Sequence, residues 1–251
     1  MEDQLSPRSH DNDDDGEDDP PTLSSQSLAA LREFISEQES HSVSDVDADC
    51  TGPGGSSMSS SSVALVSEDW RLSQFWYDRE TAETVAREIL TLCQMGSSDL
   101  EDSNSPRVAC IACPTLYAYL KNIEPQLRVQ LLEYDERFEQ YGSDFTFYDY
   151  NQPEELPLDL KHGFNVVIAD PPYLSKECLE KVARTISFLA QSGESYLLLL
   201  TGEVQKDRAA ELMGLYPCGF RPQHSNKLGN EFRLFTNYDP GTRLGRWEQE
   251  K

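Results

Sequence analysis

The stretch of this chain best suited to chemistry is Asp170-Pro171-Pro172-Tyr173, which directly follows the apolar run 164–169. Proline has no N–H to give to a strand and disfavours helical backbone in the residue before it, so these residues must form a stiff loop. Open α/β sheets place their chemistry in loops at the carboxyl ends of strands. This loop offers a carboxylate, carbonyl oxygens and a flat ring. Such a set can hold an amino group by its hydrogens and cover it with an aromatic face.

Two further acids end predicted strands earlier in the chain. Glu133 lies near the end of an apolar strand at 129–134, and Asp149 follows a strand at 145–148. In a parallel sheet these two acids and Asp170 would fall along the same carboxyl edge. Glu133 could accept hydrogen bonds from the hydroxyls of a ribose, and Asp149 could bind an adenine amino group. Taken singly, each acid could equally solvate a loop or cap a turn.

An aromatic segment precedes the first helix predicted in the ordered region. Residues 70–77 contain several large rings together with Gln74. The segment can serve as a hydrophobic flap that closes the edge of the sheet. It can also serve as a lid over a cofactor, with Gln74 or Tyr77 hydrogen-bonded to that cofactor. The two interpretations are compatible.

Other kinds of chemistry find less support in the sequence. Cys110 and Cys113 have the spacing of half a zinc site, but no second pair of ligands accompanies them. We therefore interpret both as core cysteines and predict no metal site. The chain has no Gly-x-Ser-x-Gly sequence and no Walker loop, so acyl transfer and nucleotide hydrolysis lack support.

Strands and helices alternate from about residue 70 onward, which indicates an α/β sheet. Seven strands are predicted, with the last two as a hairpin-like edge, at 107–112, 129–134, 145–148, 166–169, 196–201, 219–220 and 232–237. Helices are predicted at 81–94, 115–122, 175–191 and 204–213. These elements must position the three acids and the aromatic segment.

The first 66 residues differ in composition from the rest. Residues 11–19 are almost purely acidic and residues 52–62 are rich in Gly and Ser, so we expect a mostly disordered tail over 1–66. A short helix at 25–37 is possible because its apolar residues share one face, and a transient helix is favoured over a docking helix. The domain that carries the chemistry is predicted at 67–251.

Charge and cysteine usage restrict the partners and the compartment. The net charge is −24, and residues 1–66 carry fifteen acids and two bases, which leaves −11 for the remainder. Nucleic-acid binders need a basic surface, so a nucleic-acid partner is not expected and a basic protein partner is favoured. No apolar run is long enough to span a bilayer. Six scattered cysteines without a signal segment indicate a reduced, cytoplasmic protein, and we expect a monomer.

Together these residues resemble the class I S-adenosylmethionine-dependent methyltransferases that methylate amino groups. The stretches Ser-Gln-Phe-Trp-Tyr at 73–77, Phe-Tyr-Asp-Tyr-Asn at 147–151 and Asn-Glu-Phe-Arg at 230–233 narrow the resemblance to the elongation factor 1-alpha lysine methyltransferases. It covers roughly residues 65–240 and the helix near residues 28–34. The resemblance implies a seven-stranded Rossmann-like sheet, mostly parallel with an antiparallel edge strand. It also implies S-adenosyl-L-methionine as cofactor and a lysine of translation elongation factor 1-alpha as substrate.

The resemblance also implies roles for single residues. Asp170 and the carbonyl of Pro171 would accept hydrogen bonds from the target amine, Pro172 belongs to the same catalytic loop, and Tyr173 would pack against the amine. No strong general base is predicted, since an apolar pocket lowers the pKa of a lysine amine by desolvation.

On the cofactor side, the resemblance assigns Glu133 to the ribose hydroxyls and Asp149, with Tyr150, to the adenine. Gln74 and Trp76 of the aromatic segment are also assigned to the cofactor. The chain departs from the wider class at 113–115, where Cys-Pro-Thr replaces a Gly-x-Gly turn, so no cofactor contact is assigned there.

Two other functions remain open at this point. The motif at 170–173 does not by itself distinguish adenine, glutamine and lysine, so an N6-adenine-specific DNA or RNA methyltransferase is the alternative enzyme. A catalytically inactive scaffold that binds a partner through its acidic tail is the non-enzymatic alternative. The acidic balance of the chain favours the lysine methyltransferase.

Overall fold

The computed structural model describes residues 63–95, 105–193, 195–226 and 231–248. These ranges contain seven strands: β1 (Arg107–Ile111), β2 (Arg128–Glu133), β3 (Phe145–Phe147), β4 (Val166–Ala169), β5 (Tyr196–Gly202), β6 (Tyr216–Pro217) and β7 (Phe232–Thr236). They also contain four α-helices: α1 (Arg79–Met95), α2 (Pro114–Ile123), α3 (Lys176–Leu189) and α4 (Lys206–Met213). The predicted disorder and the possible helix at 25–37 lie outside the described residues, and the boundary at residue 67 stays a prediction.

All seven strands belong to one sheet, in the order β3-β2-β1-β4-β5-β7-β6. The strands β1 to β5 pair with one another in parallel. β7 runs antiparallel to both β5 and β6, at one side of the sheet. The predicted fold class, a Rossmann-like and mostly parallel seven-stranded sheet, is confirmed.

The sixth strand is the one predicted element that lies elsewhere. It occupies Tyr216–Pro217, whereas the sequence placed it at residues 219–220. The backbone N–H of Cys218 still donates to Leu234 of β7 at 2.9 Å. Beyond it the hydrogen bonds go to the C-terminal segment, where Gly219 donates to the carbonyl of Arg246 at 2.9 Å and Phe220 to that of Leu244 at 2.9 Å. Gly219 and Phe220 therefore pair with the C-terminal segment and not with a strand of the sheet.

The sheet is covered on both faces. Cys110, Val166 and Leu198 pack in one core cluster with α1 and α2, and Ile111 and Val167 pack in a second cluster with α3. Strands buried on both faces are continuously apolar, as β4 is at all four positions. Because this core fixes the central strands, their carboxyl ends form a rigid edge.

Two helices begin directly beside this edge because of their first residues. α2 starts with Pro114, whose missing N–H costs nothing in a first helical turn. α3 starts after Ser175, whose hydroxyl accepts from the backbone N–H of Cys178 at 3.1 Å. No helix in the described ranges is both long enough and apolar enough to cross a membrane.

The carboxyl ends of β1, β2 and β4 lie side by side. Ile111 is in register with Leu132 of β2 and with Ala169 of β4. The next residues along those two neighbouring strands are Glu133 and Asp170. The backbone N–H of Asp170 also donates to the carbonyl of Ile111 at 3.0 Å. The sheet therefore brings these two acids to one edge, as the sequence predicted.

Candidate active site

Two adjoining cavities open at the carboxyl edge of the sheet. The first has a volume of about 240 Å³ and the second about 340 Å³. Both are lined by Leu72, Ala112, Glu133 and Pro172. We call the first the acceptor cavity, which also contains Asp170 and several aromatic rings. We call the second the nucleoside cavity, which also contains Asp149 and several tyrosines.

Asp170 is the one acid that lines only the acceptor cavity. Its carboxyl group is enclosed by protein, although the residue as a whole keeps intermediate exposure. Burial raises the pKa of this carboxyl from 3.8 to about 8, the hydroxyl of Tyr77 opposes that rise, and the charge of Glu133 adds to it. No described residue forms an ion pair with Asp170. The acceptor cavity thus contains a buried carboxyl group to which no described residue supplies a counter-charge.

An aromatic wall formed by Tyr77, His224 and Phe232 lines the same cavity. The rings of Tyr77 and His224 are stacked at 4.5 Å, and the ring of Phe232 meets that of His224 edge-on at 4.7 Å. Burial lowers the pKa of His224 to about 4, so its imidazole is neutral near pH 7. The wall is therefore apolar and uncharged, as an aromatic cover for an amine should be.

The sequence did not identify His224 or Phe232 as single site residues. Phe232 lies in the stretch 230–233 that carries part of the resemblance, whereas His224 has no local signal. It reaches the site through an isolated antiparallel bridge between Tyr77 and His224. A pairing between segments so far apart in the chain cannot be read from either one.

Glu133 is 6% exposed and belongs to both cavities. Its Oε1 accepts from the backbone N–H groups of Tyr134 and Asp135, at 3.0 and 3.2 Å. Burial raises its pKa to about 7, and these two hydrogen bonds oppose the rise. No described residue donates to Oε2. One oxygen is held by the backbone, and the other remains available to a ligand.

The nucleoside cavity brings Asp149, Tyr150 and Tyr173 together. The rings of Tyr150 and Tyr173 meet edge-on at 5.9 Å, and the ammonium of Lys181 lies 5.7 Å above the ring of Tyr150. One carboxylate oxygen of Asp149 accepts from the backbone N–H of Asn151 at 2.8 Å, which shapes the loop. The cavity thus combines an acid with two aromatic rings, a combination suited to a base with an amino group.

Tyr173 lines the nucleoside cavity and is 47% exposed. Its predicted contact with the target amine stays a prediction. Pro171 lines the acceptor cavity, and Pro172 lines both cavities. The aromatic rings that line the acceptor cavity together with Asp170 are those of the Tyr77 wall.

Gln74 lines the acceptor cavity, yet its amide is engaged with the protein. Its Nε2 donates to Asp135 at 2.9 Å, and its Oε1 accepts from the backbone of Asp69 at 2.9 Å and from Arg137 at 3.1 Å. Arg137 also pairs with Asp135 at 2.6 Å. Gln74 therefore fastens the aromatic segment to the end of β2, and only the second N–H of its amide nitrogen is left for the predicted contact with the cofactor.

Trp76 likewise lines the acceptor cavity with its polar atoms engaged elsewhere. Its indole N–H donates to the carbonyl of Val66 at 2.9 Å, and its backbone N–H donates to Glu68 at 2.6 Å. Its ring meets Phe138 edge-on at 6.4 Å. Its predicted role at the cofactor can rest only on the face of its ring.

The turn after β1 replaces a glycine turn with a strained alanine. Ala112 has φ +52°, in the left-handed region that favours glycine. Its backbone N–H donates to the carbonyl of Leu132 at 2.8 Å, which holds it in this conformation. Cys113, Pro114 and Thr115 then line the acceptor cavity at the start of α2. The chain therefore makes the turn without the glycines of the wider class.

Sheet order and site together define a class I methyltransferase, a class that uses S-adenosylmethionine. A family model described as "Probable N6-adenine methyltransferase" matches residues 68–240. Curated relatives extend the match to most of the chain. EEF1A lysine methyltransferase 1 of Mus musculus is 42% identical over 227 residues (90% of this chain, 95% of that protein). The protein of that name in Gallus gallus is 43% identical over 230 residues (91% and 99%).

A third relative carries a broader name. Protein-lysine N-methyltransferase M142.8 of Caenorhabditis elegans is 36% identical over 226 residues, or 88% of this chain and 95% of that protein. Identity at this level over nearly the full length of the relatives shows common family membership. The chain belongs to the family of protein-lysine N-methyltransferases that includes EEF1A lysine methyltransferase 1.

The residues present fit S-adenosylmethionine. The available Oε2 of buried Glu133 suits a ribose hydroxyl, and the acid and rings of the nucleoside cavity suit adenine. Thr115, in the first turn of α2, lines the acceptor cavity, where the positive end of the helix dipole favours the carboxylate of an amino acid. The boundary between the two cavities is where the nucleoside and amino-acid parts of the cofactor would meet.

Proposed function

We propose that this protein transfers methyl groups from S-adenosylmethionine to a lysine amino group of translation elongation factor 1-alpha. The observation that carries the proposal is the acceptor cavity, in which an unpaired carboxylate faces an uncharged aromatic wall. This arrangement suits a cationic, partly apolar side chain such as lysine. The choice of elongation factor 1-alpha is supported by the names of the relatives from mouse and chicken.

In this proposal Asp170 and the Pro171 carbonyl hold the target amine. The bound cofactor supplies an electrophilic methyl group, and the lysine nitrogen must meet it with a free lone pair. Desolvation beside the wall of Tyr77, His224 and Phe232 lowers the pKa of the ammonium. The ammonium charge in turn lowers the pKa of Asp170 from about 8, so Asp170 meets the substrate as a carboxylate and the proton of the ammonium leaves to solvent. No separate general base is assigned.

The cofactor roles follow the chemistry of the nucleoside cavity. Glu133 would accept from the ribose hydroxyls through Oε2. Asp149 and Tyr150 would contact the adenine, and Tyr173 would cover its face. Gln74 would act indirectly, by holding the aromatic segment, and Trp76 would act through its ring.

Adenine in a nucleic acid is the second candidate, because the description of the matching family model names it. Charge weighs against it. No Lys or Arg is among the described residues that line the acceptor cavity, and His224 is neutral near pH 7. Arg71, at the nucleoside cavity, is paired with Asp69 at 2.6 Å. Lys181, which lies over the ring of Tyr150, is paired with Glu177 at 2.6 Å. Among the described residues, a phosphate backbone would therefore find no unpaired cation at either cavity.

Methyl transfer to two acceptors tests the proposal. Wild type, Asp170→Asn and the control Asp207→Asn, an exposed acid on α4, are each incubated with methyl-labelled cofactor and either elongation factor 1-alpha or duplex DNA. We expect label in a lysine of the elongation factor with wild type and Asp207→Asn, and little with Asp170→Asn. Label in DNA alone, or in neither acceptor, would contradict the proposal.

We further propose that the enzyme acts as a monomer in the cytoplasm, without a nucleic-acid or membrane partner. Cys110, Cys113, Cys178 and Cys218 are buried thiols, which supports a reducing compartment.

A further inference from the structure

The hydroxyl of Tyr77 is buried beside Asp170. Tyr77 is 4% exposed, and its hydrogen bond to the Asp170 carboxyl opposes the rise that burial causes in the pKa of that carboxyl. No described residue donates a hydrogen bond to the Tyr77 oxygen. Buried polar atoms in proteins almost always have a hydrogen-bond partner for each donor and acceptor. A donor to this oxygen is therefore expected to come with a ligand.

Contacts with His224 and Ser225 hold Tyr77 in place. Its backbone bridges to His224, and its carbonyl accepts from the hydroxyl of Ser225 at 3.3 Å. The stacked imidazole of His224 covers one face of the ring, and Phe232 supports that imidazole. A ring fixed in this way keeps its hydroxyl at one place in the acceptor cavity, as a preorganised contact requires.

The position of the hydroxyl indicates which ligand it meets. Tyr77 lines the acceptor cavity and not the nucleoside cavity, where Asp149 and Tyr150 lie. Its neighbours Asp170, His224 and Phe232 are the residues that surround the target amine in the proposed function. A phenol oxygen can accept one hydrogen bond while its own hydrogen points to a carboxylate.

We infer that the Tyr77 hydroxyl accepts one N–H of the target lysine amine while Asp170 accepts the other, so that the pair directs the nitrogen lone pair at the methyl donor. The inference rests on the proposed function and adds a specificity-determining contact to it. A neutral primary amine has two N–H hydrogens and satisfies both acceptors. A monomethylated amine has one, which goes to the stronger, charged acceptor Asp170.

Because an unmodified amine has two N–H hydrogens and a monomethylated amine has one, Tyr77 affects the two methyl transfers differently. The contact assists the first methyl transfer and is lost in the second, so it favours unmodified over monomethylated lysine. A residue that only supported the fold would slow both transfers alike. The ratio of the two rates therefore separates the proposed contact from a structural role.

Tyr77→Phe removes the hydroxyl and leaves the ring in place. Its matched control is Tyr238→Phe, which removes a tyrosine hydroxyl bonded to Glu88 at 3.0 Å, away from both cavities. Mass-resolved progress curves with elongation factor 1-alpha give the rates of the first and second transfer for wild type and both variants. Calorimetry with S-adenosylmethionine gives the cofactor affinity of each.

We expect Tyr77→Phe to slow the first transfer about fivefold to tenfold, the upper range for a hydrogen bond between neutral groups. The second transfer should change less than about threefold, cofactor affinity should stay near wild type, and Tyr238→Phe should keep both rates. Equal slowing of both transfers, no slowing, or loss of cofactor affinity would overturn the inference. If wild type itself transfers no methyl group to the elongation factor, the proposed function is contradicted independently of this inference. The contact is then tested by lysine-peptide binding, which should be tighter for wild type than for Tyr77→Phe.

Discussion

Two acids in this molecule each lie beside a tyrosine, and the two pairs differ in what completes them. Glu88, 3% exposed, accepts from the Tyr238 hydroxyl at 3.0 Å and from the Arg243 guanidinium at 2.6 and 2.9 Å. Asp170 lies beside the Tyr77 hydroxyl, but no described residue supplies it with a cation. The first group is a complete triad, and the second lacks its cation.

The difference separates a structural acid from a functional one. A buried carboxylate is costly unless it is paired and hydrogen-bonded, and Arg243 provides that pairing for Glu88. Asp170 keeps the cost, which appears as the rise of its pKa to about 8. In the proposed function a lysine ammonium takes the place that Arg243 occupies in the other group. The chain thus gives up stability at one acid in order to bind a cation from outside.

The largest effect that the comparison predicts is on activity at Asp170. Asp170→Asn keeps the size of the side chain but removes the charge that holds the amine, so kcat/KM should fall about 10²- to 10³-fold. Single-turnover rates with the elongation factor measure the loss. Glu88→Gln, at the other group, should keep the rate per folded molecule. Equal losses of rate in both variants would mean that the comparison does not separate function from structure.

The second effect is on stability at Glu88. Glu88→Gln leaves Arg243 without its partner among the described residues. The Arg243 side chain is 42% exposed, so water compensates in part for the lost ion pair. We expect the free energy of unfolding to fall by about 2–3 kcal/mol, below the full range for a buried pair. Urea denaturation measures this change. An unchanged midpoint would show that the complete triad contributes no stability.

The third effect is a gain in stability on mutation of Asp170, and it depends on pH. Because folding raises the pKa of Asp170 from 3.8 to about 8, the folded state keeps a proton that the unfolded state releases between these values. Wild type must then lose stability as pH rises from about 4 to 8. Asp170→Asn lacks this loss, so it should be more stable than wild type at pH 8, by on the order of 2 kcal/mol, and nearly equal at pH 4.5. Urea denaturation at the two pH values checks the sign.

The sequence predicted the incomplete acid more readily than its surroundings. Asp170 and Glu133 follow from local pattern, since an apolar run that ends in an acid places that acid at the edge of a parallel sheet. Tyr77 could be linked to His224 only through a bridge between distant segments. The direction of the Tyr173 ring depends on the backbone after Pro172, which the residue types alone do not determine. What the sequence left open is therefore set by long-range pairing.

Gln74 is a second case in which long-range contacts decide the role. The sequence could place its amide against a cofactor because nothing nearby in the chain competes for it. In the structure Asp135 and Arg137, about sixty residues further on, use the amide. Such competition between a ligand and a distant side chain has no sequence signature.

The smallest effect tests whether the aromatic segment must be fastened for the incomplete group to work. Gln74→Ala removes hydrogen bonds to Asp69, Asp135 and Arg137 but leaves the pair of Asp135 with Arg137. The segment that carries Tyr77 should become looser, and the positions of cofactor and amine less well defined. We expect KM for one or both substrates to rise about threefold to tenfold, equivalent to about 1 kcal/mol, with a smaller change in kcat. Steady-state kinetics with each substrate varied in turn measure this.

Arg87→Ala, which removes an exposed helical ion pair with Glu83 on α1, is the control and should leave both constants unchanged. A fall in kcat as large as that of Tyr77→Phe, without a change in KM, would instead place the Gln74 amide in the chemistry itself.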